Sequence, residues 1–542
     1  MSPRAKESDV EPRTRAERTG WRETSRHADV LAFIQELAPK TDLVKVDSMG
    51  ASGEGQDMPV LVVSGSRTFT PEEAHRKKKT VVLVIANIHA GEVEGKEACL
   101  MLARDLALGK RRAFLDELVL VLVPNYNPDG NDRIDRKNRA LDLKNLEGQI
   151  GPEGGVGTRY TGQGINLNRD YMKMEAVESR HLSKLFGAWR PHLTVDCHTT
   201  DGSVHGYALT YDTSHTVESG PREPILYVRD EMLPEISRRL EKRTGHRTFF
   251  YGNWRDQDDP TKGWETYSPL PRYGSHYRGL TGRMDILLEA YSYIDFKTRG
   301  DVTYHMLLEI FEVAHENAAK IRRLVERAER DTVERGKAPP PDDRVGVNYG
   351  AAGRDPNGQL LYRYPAYPLG DPVDIVGWDL ESHQSRAIPG RKLTKWRAIN
   401  YARFVPEISV RRPFAYVIPA DRSRIAGHLR LHNVVVEELT ADFATRGESY
   451  VVLGRESTYS PDVGHEQRFE TVFWVRAERG DVKAKKGDFV VRTAQPLANV
   501  AIYLLEPQSD DGVARWNFLD DLKAGDVYPV RRILEPSELP IR

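Results

Sequence analysis

Two cysteines in 542 residues, Cys99 and Cys197, leave no basis for a disulfide scaffold, and each lies inside an apolar segment that reads as a buried-thiol environment. No apolar run approaches the roughly 18 residues of a membrane-spanning helix, so no membrane span is expected. Neither sign of charge is in excess, with 79 Lys plus Arg against 80 Asp plus Glu. No overall field therefore draws the chain toward nucleic acid or an anionic surface. A strict internal repeat and low-complexity tracts are also missing. What remains is a chain long enough for about two to four domains with a sizeable core.

The first twenty residues are polar and charged, too polar for a signal peptide, and residues 1–23 are expected to be disordered. The protein either stays inside the cell or is exported with its signal already removed, and the compartment stays open. Thr24 and Ser25 are plausible caps for a helix carrying Val30, Phe33, Ile34 and Leu37 on one face. Leu43 to Val46 and Met58 to Val63 then read as a hairpin around a glycine-rich turn.

The centre of the chain is Thr80 to Gly95, TVVLVIANIHAGEVEG. Val81 to Ile88 carry almost no polar side chain, the signature of a strand covered on both faces. A turn, His89-Ala90-Gly91-Glu92, leads into an apolar helix from Glu94 to Leu108. Strand, turn and helix put His89 and Glu92 at the carboxyl end of a central strand, where open α/β sheets place their sites. An imidazole and a carboxylate three residues apart can share one divalent ion. The spacing alone is weak, since sixteen histidines give about one such match by chance. His215 to Glu218 repeats it in a polar segment with no strand before it and reads as that chance match.

Further strand-like runs deliver further groups. Glu117 to Gly130 ends in an Asn-Pro-Asp-Gly turn, followed by Arg133, Arg136 and Arg139 on a loop. Gly164 to Tyr171, GINLNRDY, sets Asn168 beside Arg169. Pro191 to Thr200 presents His198 at the end of a short strand, and Gly282 to Tyr293 drives Glu289 through an apolar one. A carboxylate there needs a partner or a task, because burying an unpaired charge is expensive. Two histidines and one glutamate make a three-ligand zinc set with an open position, leaving Glu289 as a general base.

Downstream, Val302 to Leu324 falls at three- and four-residue steps and predicts one long amphipathic helix. A Pro-rich, charged stretch at 335–344 marks a linker. Beyond it, apolar runs at Phe414 to Ile418, Val434 to Val436, Tyr450 to Leu453, Val472 to Val475, Phe489 to Val491 and Val500 to Leu505 predict an antiparallel β domain. His428 and His432 are read as flanking a strand-like run, with no third ligand. The fold class is thus α/β, a mixed, mostly parallel sheet flanked by helices over residues 24–334, then a separate β-rich domain over 345–542. The β domain is expected to pack on the first domain and narrow access to the site, or to act as a structural prop.

HAGE, NPDG, NLNRDY, the strand-terminal His198 and ILLEA, in that order, resemble the zinc carboxypeptidases of the carboxypeptidase A-like (funnelin) family, over roughly Ser25 to Leu324. The resemblance implies one zinc ion held by His89, Glu92 and His198, with Glu289 as catalytic glutamate. It implies that Asn168 and Arg169 grip the substrate's terminal carboxylate, a task suited to a bidentate guanidinium. Arg139 best fits the arginine that polarises the scissile carbonyl, with Arg136 the runner-up. The implied activity is metallocarboxypeptidase hydrolysis of a C-terminal peptide bond through a zinc-activated water, on a peptide or small amide substrate. A zinc amidohydrolase or deacylase acting on N-acyl amino acids or cell-wall peptides is the alternative, and a degenerate binding protein a further one.

Three departures from the family pattern stand out. Gly91 occupies the place of an arginine in the pancreatic members, and Asn166 that of an aspartate behind a zinc histidine. The family's mobile tyrosine has three candidates, Tyr267, Tyr273 and Tyr277, of which Tyr273 and Tyr277 lie in the compact loop Arg272 to Thr281. Side-chain preference and oligomeric state are not readable from these residues.

Overall fold

The computed structural model describes residues 11–110, 112–356, 358–385, 392–459 and 469–542. Ten strands belong to the first part of the chain: β1 (Val44–Ala51), β2 (Asp57–Ser64), β3 (Thr80–Ala86), β4 (Leu118–Val123), β5 (Leu193–Thr200), β6 (Leu209–Asp212), β7 (Thr248–Phe250), β8 (Asn253–Trp254), β9 (Trp264–Glu265) and β10 (Met284–Tyr291). Eight of them form one sheet in the order β1-β2-β4-β3-β5-β10-β6-β7. The middle four, β4-β3-β5-β10, run parallel, while β1, β2 and β6 join antiparallel. Every residue of β3 and β4 is buried, because helices cover both faces. This is the mixed, helix-flanked sheet expected from the continuous apolar runs.

One face is packed by the helices Glu94–Ala107 and Phe296–Glu316, in a core with Val82, Val84, Leu120 and Ile286. The other face carries Val81, Leu83, Ile85, Val119 and Val121 in a second core that continues into residues beyond 344. Alternation along each strand sends successive side chains to these two cores. Gly95 shows how tightly the first helix docks, since a Cβ there would lie 2.3 Å from the Cys197 Cβ. Both cysteines are free and buried, and burial pushes the Cys99 thiol up to about 12. No helix among the described residues is long and apolar enough to cross a membrane.

Several local expectations need correction. Residues 1–10 lie outside the described residues, but 11–23, expected to be disordered, are ordered. Thr14 and Glu17 form a reciprocal capping box on the helix Arg15–Arg18, and Trp21 packs edge-on against Phe296 at 5.1 Å. Arg104 reaches Glu17 at 2.8 Å and the Pro12 carbonyl at 3.0 Å. The segment's own polarity hid these partners, which lie far along the chain. Thr24 and Ser25 do not cap the next helix, His27–Leu37; they donate to Glu97 instead. The expected long helix after residue 302 is two helices, Phe296–Glu316 and Ala318–Lys337, parted at Asn317.

The stretch 335–344 is not a free linker. Its helix runs on to Lys337, a strand begins at Arg344, and Asp343 pairs with Arg412 at 2.7 Å. Beyond it the chain adds antiparallel sheets, the largest of six strands built around the long antiparallel pair Phe443–Tyr459 and Phe469–Ala484. A four-stranded sheet is shared, joining β8 and β9 to Tyr367–Pro368 and Asn400–Arg403. Three readings of strand-like runs change. Val434 to Val436 is irregular chain leading into the two-residue strand Glu437–Glu438. Val500 to Leu505 lies in a helix, Ala498–Leu505, buried all round, which a short apolar run cannot distinguish from a strand. His428 lies on the helix Ser423–Leu431, with His432 capping it.

Candidate metal centre and substrate pocket

Three strand ends converge at the carboxyl edge of the parallel sheet. After β3 the chain turns through Asn87 at φ +65°, a left-handed conformation that asparagine tolerates. Its amide donates to Asn125 at 2.7 Å and Asn131 at 3.1 Å, tying this turn to the one after β4. His89 and Glu92 follow, both 3% exposed. His198 lies within β5, and the parallel register places Glu289 of β10 directly beside it.

His89 Nδ1 and Glu92 Oε1 are 3.1 Å apart, His198 Nδ1 and Glu92 Oε2 3.0 Å, and the two imidazole nitrogens 3.3 Å. Such an edge length is about what a tetrahedral site with bonds near 2.0–2.1 Å requires. All three residues offer lone pairs to one point, so the donor set fits a zinc ion. Both rings are oriented from behind. Asn166 Oδ1 sits 3.0 Å from His89 Nε2, which directs Nδ1 inward. His198 Nε2 lies 3.2 Å from Asp196 Oδ1, near enough for charge attraction although off the line of a hydrogen bond.

The electrostatics of the protein groups in the site follow from burial and from these partners. Burial, with the Arg159 charge, holds His89 down to about 3. Burial also opposes protonation of His198, but Asp196 and Glu92 overcome it and raise that ring to about 10. Glu92 stays well below the usual carboxylate range despite its burial, because His89, His198 and Arg139 surround it. Glu289 is pushed up to about 8, chiefly by burial and further by Glu92. A divalent charge nearby reverses that last effect.

Behind the histidines stands Arg278, 1% exposed, which binds Asp196 at 2.8 Å, Asp285 at 2.5 Å and the Tyr171 hydroxyl at 3.0 Å. The segment Arg272 to Thr281, expected as a loop, contains the helix Gly274–Leu280 that carries it.

A cavity of about 220 Å³ opens beside the triad, lined among others by Glu289, Arg139, Asn168, Arg169 and Tyr273. Gly274 N donates to Asn168 Oδ1 at 2.9 Å, and the Arg169 guanidinium lies 4.3 Å over the Tyr273 ring. Arg139 is held from four sides: Gln149 at 2.8 Å, Glu92 at 3.2 Å, and the Thr199 carbonyl and Ser292 hydroxyl at 3.1 Å each. Its backbone adopts φ +49°, a left-handed conformation that residues other than glycine rarely take. Gly91 accommodates it, since a Cβ there would meet the Arg139 Cδ at 2.8 Å. An arginine at position 91 is therefore incompatible with this placement of Arg139.

Two expected pocket residues lie elsewhere. Arg136 is exposed on its loop and lines no part of the cavity. Tyr277 points away into the core shared with the C-terminal half, its hydroxyl 3.0 Å from His432 Nδ1. Tyr273 is the extended N-cap of the helix Gly274–Leu280 and stands outside its regular turns, whereas Tyr277 lies within the helix and packs against Tyr171. Among the pocket walls that went unforeseen or were left open are Arg159, Tyr251 and Tyr267. Arg159 approaches His89 Nδ1 at 3.2 Å and Glu92 Oε1 at 3.3 Å. Its only signal was a place in the glycine-rich approach to Asn168, where a solvated arginine looks the same. The second H-x-x-E match makes no site: His215 rests on Asp212 at 3.1 Å, while Glu218 is exposed.

Residues 30–214 match the family described as zinc carboxypeptidase, Peptidase_M14. Carboxypeptidase 2 of Trichophyton rubrum is 20% identical over 539 residues, covering 92% of this chain and 85% of that protein. The inactive metallocarboxypeptidase ECM14 of Saccharomyces cerevisiae is 33% identical over 108 residues, 18% of this chain and 24% of that one. Among solved structures, a metallo-carboxypeptidase from Burkholderia cenocepacia aligns with 54% of this chain and 69% of its own at a TM-score of 0.38 and 18% identity.

Proposed function

Because the N-terminal domain of this chain belongs to the carboxypeptidase A-like family of zinc carboxypeptidases, we propose that the protein is a catalytically competent metallocarboxypeptidase releasing a C-terminal residue from peptides. One observation carries this reading: Asn168 and Arg169 line the same small cavity as His89, Glu92, His198 and Glu289. An amide and a guanidinium set beside a hydrolytic centre recognise a free carboxylate.

His89, Glu92 and His198 would hold the zinc, which when bound supplies a Lewis acid that acidifies water and polarises a carbonyl. Glu289 takes the proton from the attacking water and returns it to the departing amine. Arg139, fixed by four partners, presents its guanidinium toward the charge that develops on the scissile carbonyl oxygen. Arg159, less tightly held, adds a second positive group on that side. Asn168 and Arg169 set the register by gripping the terminal carboxylate, and Tyr273 fixes the plane of Arg169. The intact set of His89, Glu92, His198 and Glu289 supports activity over the fate of the inactive yeast relative.

Matched peptides with free and amidated carboxyl ends test the proposal. Cleavage of the free form, lost on amidation, is expected; indifference to amidation assigns the site to an amidohydrolase of small acyl amides instead.

A further inference from the structure

Arg272 is 3% exposed and opens the segment that carries Tyr273 and Gly274, yet the acids around it come from the far end of the chain. Asp511 accepts both its backbone N–H at 2.7 Å and its Nε at 2.8 Å. Glu470 accepts Nη1 at 2.6 Å and turns its other oxygen to Arg515, 2.5 Å away. The guanidinium also lies 4.7 Å over the Trp516 ring. Stability alone does not call for this arrangement, because apolar residues of like volume can replace a buried ion pair at little cost. Its distinct property is direction: bidentate contacts and a backbone N–H fix one orientation of the chain at residue 272.

That orientation reaches the pocket within two residues. Tyr273 stacks beneath Arg169, Gly274 N donates to Asn168 Oδ1, and the Arg272 carbonyl accepts from Tyr171 N at 3.4 Å. Both members of the expected carboxylate grip thus lean on a backbone that is itself clamped by the C-terminal half.

The geometry points to the C-terminal domain as a working part of the substrate grip: Asp511 and Glu470 hold Arg272, and Arg272 sets the backbone from which Tyr273 and Gly274 place Arg169 and Asn168. Arg272, Asp511 and Glu470 are positioning residues and touch no substrate. The inference rests on the reading of Asn168 and Arg169 as the carboxylate clamp, and it assigns the β-rich domain a role in recognition rather than in shielding.

Asp511→Asn and the milder Arg272→Lys are compared with wild type on free and amidated peptides, with zinc content measured. The expected result is a KM for free-carboxyl peptides raised about tenfold to a hundredfold, the range seen when a residue that orients a metal ligand is lost and taken here for one that orients a carboxylate ligand. Turnover at saturation stays within about twofold, and zinc stays stoichiometric. An unchanged KM, or an equal fall in activity on free and amidated peptides, overturns the inference. Should wild type cleave no peptide, the proposed function fails separately, and calorimetry with an N-acyl amino acid and its amide reads the grip directly. Loss of the preference for the free acid in the variants upholds the inference; an unaltered preference overturns it. Hydrogen exchange on the unmodified protein covers variants that do not fold. Binding of the N-acyl amino acid is expected to slow exchange at residues 272–274 and at 510–515 together, and slowing confined to 272–274 overturns the link.

Discussion

Replacing Arg278 by methionine removes the guanidinium that bridges two buried carboxylates. Asp196 and Asp285 are 1% and 2% exposed, and Arg278 reaches them at 2.8 Å and 2.5 Å. Methionine retains much of the volume but, among the described residues, leaves Asp285 with no ion-pair partner and Asp196 with His198. Breaking a buried pair on one side costs about 3–5 kcal/mol, so the urea midpoint at pH 8 should fall by that equivalent.

The loss is also pH-dependent, with a definite sign. Burial already raises the Asp285 carboxyl above its ordinary value, with Arg278 pulling the other way. Without Arg278 it rises further, and a carboxyl raised in the folded state favours folding while protonated. That contribution is full below the unfolded value and fades as pH climbs through the folded one. The variant's deficit should therefore be smaller at pH 5.5 than at pH 8, by about 1.4 kcal/mol for each unit through which Asp285 stays protonated. Adding Asp285→Asn should recover part of the loss at pH 8, which a double-mutant cycle measures. A deficit under about 1 kcal/mol, or one that grows on acidification, would refute the account.

Three further outcomes are expected. Glu289→Gln should lower turnover by about 10²- to 10⁴-fold, the usual weight of a general base, while metal analysis still finds near-stoichiometric zinc; retained activity rejects the assignment. Chelation should abolish hydrolysis and lower the unfolding midpoint, and zinc at a hundred times its Kd should restore about 2.7 kcal/mol; a midpoint indifferent to zinc removes His89, Glu92 and His198 as its ligands. Asp170, raised by burial to about 6, should cost the protein about 3 kcal/mol as pH rises from 4 through 6. Asp170→Asn should flatten that part of the stability profile, and an unchanged slope would show that another group titrates there.

The chain's local patterns determined much by themselves. Unbroken apolar runs before HAGE, before NPDG and through ILLEA announced strands buried on both faces, and the turns after them announced where a site would open. Those signals are short-range, since a strand covered by helices and a turn built on Asn, Pro and Gly are written in adjacent residues. His89, Glu92, His198 and Glu289 were legible because each ends or crosses such a run. Residues on irregular segments were not. Arg136, Arg139 and Arg159 carry the same local signature, and only the approach of Gly91 to the Arg139 stem and the exposure of Arg136 separate them. Tyr273 and Tyr277 divide in the same way, one facing the pocket and the other His432.

The order of residues 11–23 and the clamp on Arg272 were hidden for a common reason. Arg104 meets Glu17, and Arg272 meets Asp511, across 87 and 239 positions of sequence. Local sequence pattern therefore pointed to the kind of sheet and to the candidate ligands, whereas long-range pairing decided which charged side chains turn inward, because a guanidinium stays in water unless the fold supplies acceptors for it.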